Sequence, residues 1–166
     1  MIRDGSGAGK SRGVRSVTVV LVSVTGLVVR PVDALSTAAL RQAVLRPGDT
    51  LPLPGDDEPA FYVGAFDGEI LVGTGNVRPS PPPWAPDDPA WRLRGMATAP
   101  DRRGEGVGAA VLATLMEHCR AHGGGVFWCN ARTPARRFYE RAGLQVIGEP
   151  WEDPAIGPHV RMWMVL

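Results

Sequence analysis

The glycine-rich segment Met96–Gly108, which reads MATAPDRRGEGVG, constrains the fold more than any other stretch of the chain. It joins a predicted strand over Trp91–Thr98 to the longest predicted helix, Gly106–His122. A buried strand is predicted next, over Val126–Asn130. The helix carries an apolar stripe at i, i+4 spacing, formed by Val107, Val111, Leu115 and Cys119. A strand, a helix and a strand in this order predict two parallel strands joined by a right-handed crossover.

Hydrophobic alternation and turn residues place the other elements. Asp33 is a predicted helix N-cap, and Asp67-Gly68 predicts a two-residue hairpin turn. Prolines exclude a helix or a central strand from residues 79–90, because they cannot donate backbone hydrogen bonds. The further predicted strands are Leu27–Val32, Ala60–Phe66, Glu69–Val77, Leu144–Trp151 and His159–Leu166, and the further helices are Ala34–Leu45 and Pro134–Ala142. The order β-α-β-β-β-α-β-α-β-β predicts an α/β fold with a mixed central sheet flanked by helices on both faces.

The charge is unevenly distributed along the 166 residues. Residues 1–15 hold four bases against one acid, whereas the rest holds 14 bases and 16 acids. We therefore predict a flexible basic tail over residues 1–22 and a single domain over residues 23–166. The mildly acidic body argues against a nucleic-acid partner. Cys119 and Cys129 form neither a CxxC motif nor a disulfide framework, which favours a cytoplasmic protein.

Two patterns near the amino terminus are similar to known functional segments. The uncharged residues 16–29 are too few to span a bilayer, which needs about 20, so no membrane partner is predicted. Their layout is similar to a signal peptide, which leaves a secreted binding protein as an alternative. The segment Asp4–Ser11, DGSGAGKS, imitates a phosphate-binding P-loop, but Asp4 stands where the first glycine is required.

The strand-to-helix junction carries the strongest chemical signal. Arg103, Gly106 and Gly108 fit the pattern R-x-x-G-x-G. A helix start offers unpaired N–H groups and a partial positive charge, and glycines let a ligand approach the backbone. Arg102 and Arg103 add bidentate donors. The spacing alone therefore indicates either an anion site, such as one for a pyrophosphate, or a simple tight turn.

Two motifs about 30 residues apart give this sequence a family resemblance. It resembles the GNAT family of N-acetyltransferases, whose acetyl-CoA motif Q/R-x-x-G-x-G/A is matched by RGEGVG at Arg103–Gly108. The family pattern A-x-x-F-Y-E-x-x-G-F is matched by ARRFYERAGL at Ala135–Leu144. The resemblance covers about Leu27 to Leu166 and implies a GNAT-like fold. It implies transfer of an acetyl group from acetyl-CoA, the cosubstrate, to a primary amine by direct attack. The alternative is a CoA-binding regulatory module of the same fold without turnover.

The resemblance also implies roles for individual residues. Strand backbone at Met96–Thr98 would bond the pantetheine arm and the acetyl carbonyl, and the glycine-rich loop would hold the pyrophosphate. The implied cofactor-binding residues are Met96, Ala97, Thr98, Arg102, Arg103, Gly104, Glu105, Gly106, Val107, Gly108, Arg132 and Phe138. Tyr139 matches the family tyrosine that protonates the leaving thiolate, and the alternative is a tyrosine that only packs in the core. A phenol suits the first role because its usual pKa, near 10, exceeds that of a thiol.

The sequence departs from the family pattern at two places. Arg132 stands where many members carry Asn, and an arginine there can approach a CoA phosphate. Arg92 and Arg94 lie on the strand that often carries the glutamate base. The base is therefore either a water held by backbone or another residue, of which His159 is the best titratable candidate.

The remaining features bear on metals and on the acceptor. His118 and His122 have i, i+4 spacing, but no third ligand is placed, so no metal is predicted. Three acidic, proline-bounded loops, Gly55–Pro59, Pro86–Pro89 and Trp151–Pro154, would favour a cationic amine if two of them faced the acceptor cleft. The predicted partner is a small-molecule or peptide amine, and a homodimer is left open.

Overall fold

A single mixed sheet forms the centre of the computed structural model, which describes residues 22–24, 26–48 and 59–166. Its eight strands lie in the order β1-β2-β3-β4-β5-β6-β8-β7. The strands are β1 (Val22–Val24), β2 (Leu27–Val32), β3 (Phe61–Asp67), β4 (Ile70–Pro79), β5 (Ala90–Thr98), β6 (Val126–Arg132), β7 (Gln145–Asp153) and β8 (Gly157–Val165). The helices are α1 (Ala34–Leu45), α2 (Val107–Ala121) and α3 (Arg136–Arg141), with short 3-10 turns at Pro100–Arg102 and Thr133–Ala135.

The predicted fold class and order of elements are confirmed, with one short strand added at the start. That strand, β1, pairs antiparallel with β2 and begins one residue before the predicted domain boundary, which stays a prediction. The P-loop imitation and nearly all of the predicted tail lie outside the described residues. Within the described part, no helix is both long enough and apolar enough to cross a bilayer.

Local details differ from the predictions at three turns. Asp67 pairs with Ile70 across the β3–β4 ladder, so Gly68 and Glu69 form the turn, one residue later than predicted. Gly68 has a φ of +58°, which suits its place as the first turn residue. The helix predicted over Pro134–Ala142 begins as a 3-10 turn at Thr133–Ala135 and is α-helical over Arg136–Arg141. Pro134 lies in the first turn, where its missing N–H costs no helical hydrogen bond. Strands β7 and β8 extend toward each other, so that most of the predicted loop at Trp151–Pro154 is strand.

The two helical layers cover opposite faces of the sheet. Arg41 of α1 lies over the ring of Tyr62 on β3, with its guanidinium carbon 5.2 Å from the ring centroid. Val63, the next residue, belongs to the buried core together with Val111 and Leu115 of α2. Because neighbours along a strand point to opposite faces, α1 and α2 lie on opposite sides, as predicted.

The parallel strands β5 and β6 separate part-way along their length. Ala90–Arg92 of β5 pair with Val126–Trp128 of β6, and the pairing goes no further. The two strands are parallel, as predicted for the strand–helix–strand unit. Beyond that point β5 continues to Thr98 along β4, and β6 continues to Arg132 along β8. The inner edges of these two extensions face a gap in which backbone donors and acceptors are available to a ligand.

Candidate active site

The loop before α2 forms an open cradle. Gly104 and Gly106 have φ values of +84° and +82°, a region that other residues rarely adopt. Gly106 is the N-cap of α2 and gives no side-chain cap, and the first helical hydrogen bond runs from Ala110 N–H to the Gly106 carbonyl. The N–H groups of the residues between them have no helical partner. A Cβ at either glycine would meet no atom within 4 Å, so the space in front of the helix is open.

Arg102 and Arg103 differ in their surroundings. Arg102 Nη1 lies 2.6 Å from Asp67 Oδ2, and its Nε lies 2.7 Å from Glu105 Oε2. These two carboxylates raise the pKa of Arg102 and fix the loop against the β3–β4 hairpin. Arg103 is exposed and makes no ion pair with any described side chain. Arg103 is therefore the exposed cation of this loop, whereas Arg102 and Glu105 hold the loop in place.

A large groove runs from this loop along α2 and α3. Its volume is about 1680 Å³. Among the residues predicted to bind the cofactor, it is lined by Met96, Thr98, Arg102, Arg103, Gly104, Gly106, Val107, Gly108, Arg132 and Phe138. Ala97 is buried beside the groove and Glu105 turns toward Arg102, so neither side chain lines it. The fold thus brings ten of the twelve predicted residues to the surface of this groove.

A second, smaller cavity lies on the α1 face of the sheet. Its volume is about 390 Å³, within the range of small-molecule pockets. Its lining includes Arg41 of α1, Tyr62 of β3 and His159 of β8. The two cavities share four lining residues, Leu45, Met96, Arg132 and Tyr139. They therefore meet at the gap between β5 and β6.

Tyr139 stands at this junction. Its side chain is only 7% exposed, and it lines both cavities. Burial, with a smaller contribution from Cys129, raises the pKa of the phenol above its ordinary value. The hydroxyl is therefore protonated at neutral pH and able to donate.

His159 is held in one orientation inside the second cavity. It is 4% exposed, and its ring stacks on Trp151 with the centroids 5.5 Å apart. Its Nδ1 lies 2.7 Å from the Gly157 carbonyl oxygen. Since a carbonyl only accepts, Nδ1 donates this bond, which leaves Nε2 as the ring nitrogen that can accept a proton. That arrangement suits a proton acceptor.

The expectation of an acidic acceptor cleft stays a prediction. Of the acidic loops, Pro86–Pro89 does not line the second cavity, Trp151–Pro154 contributes Asp153, and residues 55–58 lie outside the described part. The described lining instead contains five arginines, Arg41, Arg46, Arg92, Arg94 and Arg132. Sequence reasoning missed this cluster, although the alternation of Arg92 and Arg94 along one strand is a signal that both point to one face.

The remaining titratable candidates are packed side chains. His118 stacks between Phe61 and His122, at centroid distances of 3.6 and 4.1 Å. Burial and the neighbouring His122 lower the pKa of His118 to about 4. Burial raises the pKa of the Cys129 thiol to about 12, so it is not a thiolate nucleophile. Among the described residues, no three His, Cys, Asp or Glu side chains lie together as metal ligands would.

Comparison with known proteins identifies the family. The family model described as "Acetyltransferase (GNAT) family" matches residues 34–144. The chain belongs to the GNAT family. This GNAT protein is 28% identical over 144 residues to YitI of Bacillus subtilis (strain 168), named an uncharacterized N-acetyltransferase; the match covers 84% of this chain and 97% of YitI.

Solved structures share the same fold. Escherichia coli ElaA matches with a TM-score of 0.58 and 21% identity, over 79% of this chain and 86% of ElaA. An aminoglycoside 6'-N-acetyltransferase in complex with coenzyme A matches with a TM-score of 0.64 and 14% identity, over 82% of this chain and 96% of that one. At these identities the likeness shows the fold alone.

Family membership makes this chain an acyl-CoA-dependent acetyltransferase, with acetyl-CoA as cosubstrate. Enzymes of this family act on small-molecule or peptide amines. The residues present fit acetyl-CoA, because the open glycine cradle with Arg103 suits its phosphates and the gap between β5 and β6 suits a chain that hydrogen-bonds to backbone.

Proposed function

We propose that this chain acetylates the primary amine of a small molecule by direct attack, with Tyr139 as general acid and His159 as general base. The observation that carries the proposal is the position of Tyr139, which lines both the groove and the second cavity. A group there can reach the bond between an acetyl donor in the groove and an amine in the cavity. The volume of the second cavity supports a small acceptor.

The binding residues divide by chemistry. Arg103, Gly104, Gly106 and the free N–H groups at the start of α2 would bind the phosphates. The inner edge of β5 at Met96–Thr98 would bond the pantetheine amides and the acetyl carbonyl, since β6 leaves it unpaired there. Phe138 packs beside Gly108, where a Cβ would lie 3.4 Å from the ring, and gives the groove an apolar wall.

Two proton transfers complete the proposed reaction. Acetyl-CoA supplies a thioester, whose carbonyl carbon takes the amine lone pair while its bond to sulfur breaks. Nε2 of His159 accepts the proton that the amine nitrogen loses, directly or through one water. The Tyr139 hydroxyl donates its proton to the departing sulfur. The products are the acetylated amine and the free thiol of CoA, and solvent returns both residues to their starting protonation.

The cellular setting and assembly are part of this proposal. Cys119 and Cys129 are free and buried, which supports a reducing cytoplasm. The homodimer stays a prediction, and light scattering on the purified protein would measure it.

Replacement of Tyr139 by Phe tests the general acid. We expect kcat to fall about 10²- to 10⁴-fold, because the sulfur would leave as an unprotonated thiolate. The Kd for acetyl-CoA should stay within about twofold, since the ring still fills its buried site. A donor with a more acidic thiol should lose much less rate in the variant than acetyl-CoA does. An equal loss with both donors, or no loss with either, would show that Tyr139 is not the acid.

A further inference from the structure

The proposed general base is held by the neighbouring strand as well as by its own. His159 of β8 lies directly opposite Trp151 of β7 in the ladder. The two rings are stacked, with their centroids 5.5 Å apart and their planes inclined by 29°. Both residues line the second cavity. Two contacts therefore act on the imidazole, the Gly157 carbonyl at its Nδ1 and the indole against its ring.

An irregularity in β7 brings Trp151 to this position. The register shifts between Ile147, which lies opposite Arg161, and Trp151. The step of two residues from His159 to Arg161 along β8 thus corresponds to a step of four along β7. Gly148, inside the shifted segment, has a φ of +72°, which glycine adopts readily. Bulges of this kind re-aim side chains, and this one sets the indole beside the imidazole.

Trp151 is itself held within the hairpin of β7 and β8. The guanidinium carbon of Arg161 lies 5.1 Å from the centroid of its ring, within the range of a cation–π contact. The turn that joins the two strands is capped by Asp153, whose Oδ1 accepts two backbone hydrogen bonds at 2.9 and 3.2 Å. Gly157 follows that turn and lies opposite Asp153 in the ladder. The indole and the carbonyl that contact the imidazole are therefore parts of the same hairpin.

We propose that Trp151 is a positioning residue for His159, whose imidazole it holds with Nδ1 on the Gly157 carbonyl. This inference rests on the proposed function, in which Nε2 of His159 accepts the amine proton. The hydrogen bond made by one ring nitrogen decides which nitrogen carries the proton, so an imidazole that turns away from the carbonyl no longer keeps Nε2 as the acceptor. Proton transfer also suffers, because a misplacement of about 1 Å can cost about 10²-fold in rate. Trp151 itself cannot be the base, since an indole N–H only donates.

The tautomer of His159 gives a direct measurement of this role. The chain has three histidines, so long-range ¹H–¹⁵N NMR spectra contain three sets of imidazole signals, and His159→Gln identifies the set of His159 by its loss. For the neutral ring, we expect the proton on Nδ1 in the unmodified protein and a mixture of both tautomers in Trp151→Leu. Trp151→Phe keeps an aromatic face and should keep the original tautomer. An unchanged tautomer in Trp151→Leu would overturn the inference, and this measurement needs no acceptor.

A double-mutant cycle tests whether the effect on rate passes through His159. Release of free CoA is followed with ethanolamine, 4-aminobutyrate and spermidine, and the amine with the highest rate is used. We expect Trp151→Leu to lower kcat about 10- to 100-fold, with the Kd for acetyl-CoA within about twofold, and Trp151→Phe to recover most of the rate. In a chain that carries His159→Gln, Trp151→Leu should change kcat by less than about twofold, because no imidazole is left to position. A merely structural role would lower kcat equally in both backgrounds.

Trp163→Leu is the matched control. Trp163 is a half-buried residue of β8 that lies opposite Gln145 in the same ladder and lines neither cavity. Its replacement removes an indole from the same hairpin, so it measures the effect of lost packing, and kcat should stay within about twofold. If Trp151→Leu does not fold, Trp151→Met carries the same expectations, since a flexible methionine fills irregular gaps without an aromatic face.

The outcomes separate this inference from the function on which it rests. His159→Gln should lower kcat about 10²- to 10⁴-fold; if it does not, His159 is not the base, and both the proposed base and this inference are wrong. If His159→Gln loses this rate while Trp151→Leu does not, or if Trp163→Leu loses as much as Trp151→Leu, the positioning role alone is wrong. If none of the three amines is acetylated, the tautomer measurement decides the inference by itself.

Discussion

Replacement of Gly106 by Ala isolates the role of the loop before α2. Gly106 has φ +82° and ψ 0° and is the N-cap of the helix. A Cβ there would touch no atom within 4 Å, so the substitution adds strain without a clash. The methyl group would stand in the open space in front of the helix N–H groups, where we place a phosphate. The change should therefore affect binding much more than folding.

The two effects have different magnitudes. A residue with a Cβ in the left-handed region costs about 1–2 kcal/mol, and each kcal/mol lowers Tm by about 2–4 °C for a chain of this size. Loss of one hydrogen bond to a charged phosphate costs about 1.5–3 kcal/mol, which weakens acetyl-CoA binding about 10- to 150-fold.

Gly26→Ala is a closely matched control for the strain. Gly26 also has φ +82°, and a Cβ there also meets nothing within 4 Å, but it lies in the turn between β1 and β2. Both variants should lose a similar Tm, and only Gly106→Ala should raise the Kd for acetyl-CoA in titration calorimetry. If Gly106→Ala leaves Kd within about twofold, or if both variants raise it equally, the loop is not the phosphate site.

Two further predictions concern the packing around α2. A Cβ on Gly73 would lie 2.4 Å from Val107 Cγ1, so Gly73→Ala should lower the free energy of unfolding by about 1–3 kcal/mol. In urea titrations, adding Val107→Ala to the Gly73→Ala chain should restore part of that loss, because it removes the clashing methyl group. If the losses of the two substitutions simply add, the predicted contact is wrong. Because the pKa of His118 is lowered to about 4, the unfolded state binds more protons below pH 6.5, and stability should fall as the pH drops from about 6.5 toward 4. His118→Phe, which can keep the stack on Phe61, should flatten this dependence in urea midpoints at pH 7.5 and 5, and an unchanged slope would exclude His118 as its source.

Local patterns predicted those parts of the fold that depend on local physics. The helix N-cap at Asp33 follows from its side chain, which accepts a hydrogen bond from Ser36 N–H at 2.8 Å. The apolar stripe of α2 predicts its buried face, since Val107, Val111 and Leu115 are all in the core. The glycine-rich start of α2 likewise depends on neighbours in sequence, and it lines the groove as expected.

The parallel arrangement of β5 and β6 could be predicted from the order of elements, but the extent of their pairing could not. The separation of β5 from β6 after Arg92 depends on how β4 and β8 hold the two strands, which no single segment encodes. Arg102 is paired and Arg103 is exposed, and this difference depends on Asp67, 35 residues before Arg102 in the chain. The second cavity needs α1, β5 and β6 to be assembled before its lining residues meet.

The chemistry of the cavity narrows the choice of general base. A guanidinium does not deprotonate in proteins, so none of the five arginines can accept the amine proton. Burial raises the pKa of Cys129 to about 12, which keeps it a thiol, and Tyr139 is kept protonated for the same reason. Asp153 caps a turn through Oδ1, which accepts both of its backbone hydrogen bonds. We therefore keep His159 as the proposed general base, because the Gly157 carbonyl engages its Nδ1 and leaves Nε2 as the nitrogen that can accept a proton.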